Sequence, residues 1–197
     1  MTQTQRFSSP LQRLTLGAIL TALVVVLQLL GSFIHLGMFS VSLVLIPIVV
    51  GAATCGPWIG GWLGLAFGVT VLLSGDAAAF LAVNVPGTIL TVLLKGVLCG
   101  LLAGLVYRWL SRRNRTLAVF AAAIVCPVVN TGVFLIGCAI FFFDTIAGWA
   151  TAAGFGENAV QYMFLGLAGG NFLFELVFNI VLSPIIVRLL DIAKKLR

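Results

Sequence analysis

The chain has 197 residues, of which 61% are hydrophobic and 8% are charged, and its net charge is +6. Soluble domains carry about 25% charged residues, so the composition excludes a water-soluble fold and predicts one domain embedded in a bilayer. The basic residues form no stripe with interleaved aromatic side chains, which excludes a nucleic-acid-binding surface.

Six apolar segments make up most of the chain. A helix that crosses a bilayer needs about 20 apolar residues, and the predicted spans are 14–31, 41–54, 58–73, 87–110, 117–143 and 162–190. The second span is short and ends at Gly56-Pro57, a dipeptide typical of a tight turn. The sequence therefore predicts an all-α bundle of six transmembrane helices that forms a single domain, residues 1–197.

The distribution of charge predicts how the bundle is oriented. Every lysine and arginine except Lys95 lies near the N-terminus, in the segment 108–115 or near the C-terminus. The predicted loops 32–40, 74–86 and 144–161 contain no lysine or arginine, and the last two contain Asp76, Asp144 and Glu157. Because basic segments stay on the cytoplasmic side, both termini are predicted to be cytoplasmic and these three loops external.

Small residues indicate where helices pack closely. Gly60, Gly64 and Gly68 recur every four residues along the third span, a spacing that lets another helix backbone approach. The four cysteines lie in apolar stretches and form no CxxC pair, so we interpret them as small packing residues.

Two ionisable residues lie at membrane depth. Lys95 is nine residues past Pro86, about 13 Å along the helix at 1.5 Å per residue, and Glu175 is thirteen residues past Tyr162. A charged side chain within a bilayer costs about 2.5–3.5 kcal/mol on insertion scales. The two side chains could form an ion pair, or they could bind a charged or zwitterionic solute.

Amides accompany Glu175 on the last span. Asn171, Glu175 and Asn179 are spaced four residues apart, so they form one stripe on the helix, and this stripe must face other helices or a wet cavity. Asn130 and Gln28 add two buried polar groups on other spans. Hydrogen bonding between helices without any ligand is the competing interpretation, above all for Asn179 and Gln28.

The sequence lacks the parts of an enzyme. It contains no GxSxG, HExxH or Walker A motif, and a single histidine, His35, has no Cys or carboxylate at metal-ligand spacing. We therefore expect no catalysis, no cofactor and no metal site. His35 would line a loop or a solute pocket instead, and Trp149 could stack on a ring-shaped ligand. Uphill transport would need a partner or an ion gradient.

Several segments resemble one family, the substrate-binding S components of energy-coupling factor (ECF) transporters for vitamins. The segment 18–22, AILTA, resembles the AxxxA signature of their first helix. The segments 46–51, IPIVVG, and 56–64, GPWIGGWLG, are similar to the turn between their second and third helices. The segment 170–175, GNFLFE, with Asn179 and Pro184 after it, is similar to their closing helix. The resemblance covers nearly the whole chain.

The resemblance implies a mechanism and a set of site residues. An S component binds a vitamin or related small molecule near the external face of a bacterial cell membrane. It works with a transmembrane T subunit, on which Ala18 and Ala22 would dock, and with two ATPase subunits. Pocket residues carried over by position are Asn84, Lys95, Asn130, Asn171 and Glu175. Because Lys95 suits a carboxylate, pantothenate or a similar acid is the solute this comparison favours.

Three other functions stay open. The chain could be an autonomous secondary carrier or channel in which Lys95 and Glu175 gate or relay protons. However, residues 14–73 and 117–190 show no convincing internal repeat, which carriers commonly have. An intramembrane enzyme and a structural or assembly factor are the remaining alternatives.

Overall fold

A computed structural model describes residues 10–32, 35–36, 39–40, 43–156 and 158–195, and the side chains within 11–32, 43–156 and 158–188. The elements in chain order are α1 (Pro10–Gly31), β1 (His35–Leu36), β2 (Phe39–Ser40), α2 (Leu45–Cys55), α3 (Pro57–Ser74), α4 (Ala78–Leu81), α5 (Val85–Leu110), α6 (Arg115–Phe141), α7 (Phe143–Ala152), α8 (Ala159–Gln161), a π-helical segment (Tyr162–Gly169) and α9 (Gly170–Lys195). The two short strands pair in an antiparallel hairpin, and the rest of the described architecture is helical.

Five helical stretches in the described part of the chain are long and apolar enough to cross a membrane. They are Leu11–Gly31, Pro57–Ser74, Val85–Leu110, Arg115–Phe141 and Ala159–Arg188. Their length and composition confirm the predicted all-helical, multi-pass membrane protein.

The predicted second span is the 11-residue helix α2. At 1.5 Å per residue it is about 16 Å long, well short of a hydrocarbon core of about 30 Å. It ends at Gly56, whose φ of 105° favours glycine, and α3 begins at Pro57. Leu45, Ile48 and Val49 are fully buried, and α2 contacts α1, α3, α5, α6 and α9. This short helix is therefore the centre of the packed core.

Helices α3 and α5 pack with their backbones in close contact, which confirms the predicted glycine ladder. A Cβ atom on Gly64 would overlap the carbonyl oxygen of Gly96, and one on Gly60 would lie 2.5 Å from the carbonyl oxygen of Gly100. A Cβ on Gly68 would lie 2.9 Å from the carbonyl oxygen of Val92. Glycines on both helices therefore set the distance between α3 and α5.

The region predicted as the loop 144–161 is mostly helical. Helix α7 fills residues 143–152, and its Ile146 and Ala150, one turn apart, are both fully buried. Gly148 lies within this helix, and a Cβ there would meet nothing within 4 Å. Gly148 therefore lies on an open face of α7 and does not break the helix.

Candidate functional site

A cavity opens between the helices at one end of the bundle. Measured at the centres of water-sized probes, its volume is about 70 Å³, and residues of α1, α3, α4, α5, α6, α9 and the π-helical segment line it. The lining residues lie in the last turns of α1 and α3 and the first turns of α5 and α9. Residues 111–114, between α5 and α6, lie at the opposite end and include Arg112 and Arg113. The volume of the cavity is several times the roughly 10–15 Å³ that one water molecule needs on the same measure.

One side of the cavity carries a hydrogen-bonded pair from α6 and α9. The amide nitrogen of Asn130 donates to a carboxylate oxygen of Glu175 at 3.4 Å, and both residues are buried. The amide of Asn179 donates to the Glu175 backbone carbonyl at 2.7 Å. The burial of Glu175 and Asn179 confirms that the predicted polar stripe faces the protein interior.

A second pair lines the cavity from α1 and the turn after α3. The amide nitrogen of Gln28 donates to the Asp76 carboxylate at 2.7 Å, and the Ser74 hydroxyl donates to the same oxygen at 2.9 Å. Gln28 is only 1% exposed. The contact joins residues 48 positions apart, so it fixes the end of α1 against the 75–84 connection.

Lys95 enters the cavity from the third turn of α5, about 15 Å from the start of that helix at 1.5 Å per residue. Its ammonium lies over two phenylalanine rings, 5.6 Å from the ring centre of Phe67 and 5.4 Å from that of Phe134. Such cation–π contacts are favourable when water is excluded. Glu175 and Asp76 are the carboxylates that interact with the ammonium electrostatically.

Several buried oxygens around the cavity have no hydrogen-bond partner within the described residues. They are Gln28 Oε1, Thr91 Oγ1, Asn130 Oδ1 and Asn171 Oδ1. More than 90% of buried polar groups in native proteins are hydrogen-bonded, and leaving one unpaired costs about 1–3 kcal/mol. The four oxygens therefore provide places where a bound molecule or water can donate hydrogen bonds.

Aromatic side chains form the apolar part of the cavity wall. Phe80, on the short helix α4, packs edge-on against Phe134, Phe142 and Trp149, with ring centres 5.0 to 5.7 Å apart. Phe80, Phe134 and Phe142 line the cavity, and Trp149 supports Phe80 from behind. The site therefore combines polar groups on several helices with an aromatic wall, as small-molecule sites commonly do.

The structure brings together most of the site residues predicted from the sequence. Lys95, Asn130, Asn171 and Glu175 all line the cavity. Asn84 instead caps α5, since its side-chain oxygen accepts the backbone N–H of Gly87 at 3.0 Å, and it is outside the cavity lining.

Two further sequence predictions concern His35 and the Ala18/Ala22 face. The side chain of His35 is outside the described residues. Ala18 and Ala22 are exposed on the outer face of α1.

Sequence reasoning missed several residues that line the cavity. Asp76 was treated only as a loop charge, and Gln28 chiefly as a group that hydrogen-bonds between helices without a ligand. Thr91 and Thr131 also line the cavity, and short hydroxyl side chains on apolar helices give little signal in a sequence. Within the described residues, no three His, Cys, Asp or Glu side chains are grouped closely enough to hold a metal ion.

Comparison with known protein families identifies the chain. The family described as "ECF transporter, substrate-specific component" matches residues 12–187, which include every helix that lines the cavity. Comparisons with curated proteins and with solved structures give no match. The match covers far more than half of the chain, and the chain therefore belongs to the family of substrate-specific components of ECF transporters.

Proposed function

We propose that this chain binds a vitamin or related small molecule at the external face of a bacterial plasma membrane and delivers it inward as part of an ECF-type importer. The observation that carries the proposal is the cavity between the helices, lined by buried polar groups of helices long enough to span a membrane. Such groups are costly in a bilayer unless they meet partners, and a bound solute supplies those partners.

The orientation of the bundle is part of the proposal. We count α2 as the short second member of six membrane-embedded helices, with both termini on the cytoplasmic side. The position of the basic residues supports this orientation. Arg112 and Arg113 lie at the end of the bundle opposite the cavity, and basic segments stay in the cytoplasm. The cavity then faces outward, where an uptake system collects its solute.

The proposed solute contacts come from Lys95, Asn130, Asn171 and Glu175. Their support is that all four line one cavity and that two of them present unpartnered oxygens. An acid such as pantothenate would place its carboxylate on the Lys95 ammonium. We assign no solute contact to Asn84, which caps α5, or to His35.

The proposed partners are a transmembrane T subunit and two ATPase subunits. The chain has no Walker A motif, so energy from ATP must come from other subunits. Ala18 and Ala22 are exposed one turn apart on α1, and small residues at this spacing let another helix approach closely. We propose that this face of α1 docks on the T subunit.

Affinity purification from native membranes tests the partnership. Tagged wild-type chain should recover one further integral membrane subunit and ATPases that carry Walker A motifs, identified by peptide mass spectrometry. A chain that purifies without ATPases, and that transports its solute in vesicles without ATP, would be the autonomous carrier that was the main alternative.

A further inference from the structure

The two amide–carboxylate pairs in the cavity fix the direction of their amides. Asn130 donates its NH₂ group to Glu175, and Gln28 donates its NH₂ group to Asp76. Rotating either amide by 180° would set a carbonyl oxygen against a carboxylate oxygen, which is unfavourable. Each pair therefore uses its amide donor internally and leaves the amide oxygen as an acceptor.

These acceptors are unused. Asn130 Oδ1 and Gln28 Oε1 are buried without a hydrogen-bond partner in the described part of the chain, and their residues are 5% and 1% exposed. Asn171 Oδ1 is a third unpartnered acceptor on the lining. Amide and carboxylate oxygens only accept hydrogen bonds, so the complement of this cavity is a molecule rich in hydrogen-bond donors, N–H or O–H.

The charges on the lining favour the same kind of molecule. Among the described residues that line the cavity, the carboxylates of Asp76 and Glu175 oppose the single ammonium of Lys95. Counted as unit charges, they leave an excess of one negative charge. Because uncompensated charge is costly at membrane depth, a solute with a positive group balances the cavity, whereas an anion adds to the excess.

From these observations we infer that the solute is a nitrogen base, such as an amine, an amidine or an amino-substituted ring, whose N–H groups bind the Asn130–Glu175 and Gln28–Asp76 pairs. The inference rests on the proposed function and specifies its substrate class. It reverses the preference for an acid that Lys95 alone suggests. The aromatic wall formed by Phe80, Phe134 and Phe142 suits a flat ring between the polar groups.

Pairs of probes that share a ring and differ in charge test the inference on wild-type protein in detergent. Benzamidine is compared with benzoate, and tryptamine with indole-3-acetate, by ligand-observed NMR titration. We expect each base to bind at least about tenfold more tightly than its acid, a difference of about 1.4 kcal/mol. Acids that bind as tightly as their bases would overturn the inference and leave solute binding, and hence the proposed function, intact.

Variants of the lining then test whether the base contacts Gln28 and Asn130. Gln28→Leu and Asn130→Leu should each weaken binding of the base at least about tenfold. Asn179→Leu is the matched control, because Asn179 is also buried with an unpartnered Oδ1 but is outside the cavity lining. Bases that bind all three variants as tightly as the wild type, or that do not bind the wild type at all, would also refute the inference. In that last case, mass spectrometry of solutes retained by the purified chain decides separately whether the proposed function stands.

Discussion

The Lys95 side chain combines a charge, an aromatic contact and a position on the cavity wall. Its ammonium lies over Phe67 and Phe134 and interacts with the Glu175 carboxylate. Replacing it with methionine keeps an unbranched side chain, one heavy atom shorter, and removes the positive charge. The effect on binding should therefore depend on the charge of the solute.

Lys95→Met should weaken binding of benzoate and leave binding of benzamidine unchanged or tighter, because the negative excess of the cavity grows. Both affinities can be measured by the same NMR titration. An equal loss for both probes would show that Lys95 acts through packing of its stem and not through its charge.

A mutation can distinguish the capping role of Asn84 from a contact with the solute. Asn84→Ala should destabilise the protein by about 1 kcal/mol, as loss of an N-cap does, without changing solute affinity. Asn114→Ala is the matched control, because Asn114 caps α6 in the same way, through the backbone N–H of Leu117. Thermal unfolding in detergent measures the stability. If only Asn84→Ala lowers affinity, Asn84 contacts the solute after all.

Single residues were predictable where their chemistry conflicts with a bilayer. Lys95, Glu175 and Asn130 stand out in the sequence because a charge or an amide within an apolar helix is costly. Gln28 and Asp76 were underrated, since their pairing depends on how the end of α1 meets the turn after α3. That register comes from tertiary packing across 48 positions, which no local pattern encodes.

Among the secondary-structure elements, α3 and α5 make the closest helix contact, and it depends on specific glycines. Gly64→Ala should destabilise the protein by about 1–3 kcal/mol, the usual cost of overpacking, because the new methyl group would overlap the Gly96 carbonyl oxygen. Gly61→Ala, on the same helix, would meet its nearest atom at 3.7 Å and should have little effect. Comparable unfolding temperatures for both variants would contradict this description of the interface.

Helices were predictable to different degrees. The long spans follow from sustained apolar composition, and the α3 start follows from Gly56-Pro57. Helix α7 was missed because the segment 144–161 contains Gly148, Gly154 and Gly156, which suggest a loop, whereas burial of Ile146 and Ala150 stabilises a helix. The π-helical segment Tyr162–Gly169 carries no sequence signal of its own. It leads directly into Asn171 at the cavity, and such segments often occur at functional sites.

For the whole molecule, membership of the family makes the chain a transport component that handles a small molecule together with other membrane-embedded subunits. The two surfaces proposed for function are separate, because the cavity lies inside the bundle and Ala18 and Ala22 lie on the outer face of α1. Mutations should therefore affect solute binding and partner docking independently.

Ala22→Trp should abolish energised uptake and leave solute affinity unchanged, since a bulky ring blocks close approach of the T subunit. Ile19→Trp is the control: Ile19 is 60% exposed and lies about 100° from Ala18 around the helix. Uptake by cells that express the complete transporter provides the readout. Normal uptake by Ala22→Trp would exclude this face as the docking surface.

The central claim is that the cavity holds a small solute. Mass spectrometry of small molecules retained by the purified chain tests it most directly. In the variant Ala168→Trp the new side chain should fill the cavity. Ala18→Trp, the same change on the outer surface, is the control. Ala168 lines the cavity and is 6% exposed. We expect one compound to be retained by the wild type and by Ala18→Trp but lost from Ala168→Trp. The same compounds in all three samples, or none in any, would contradict the account.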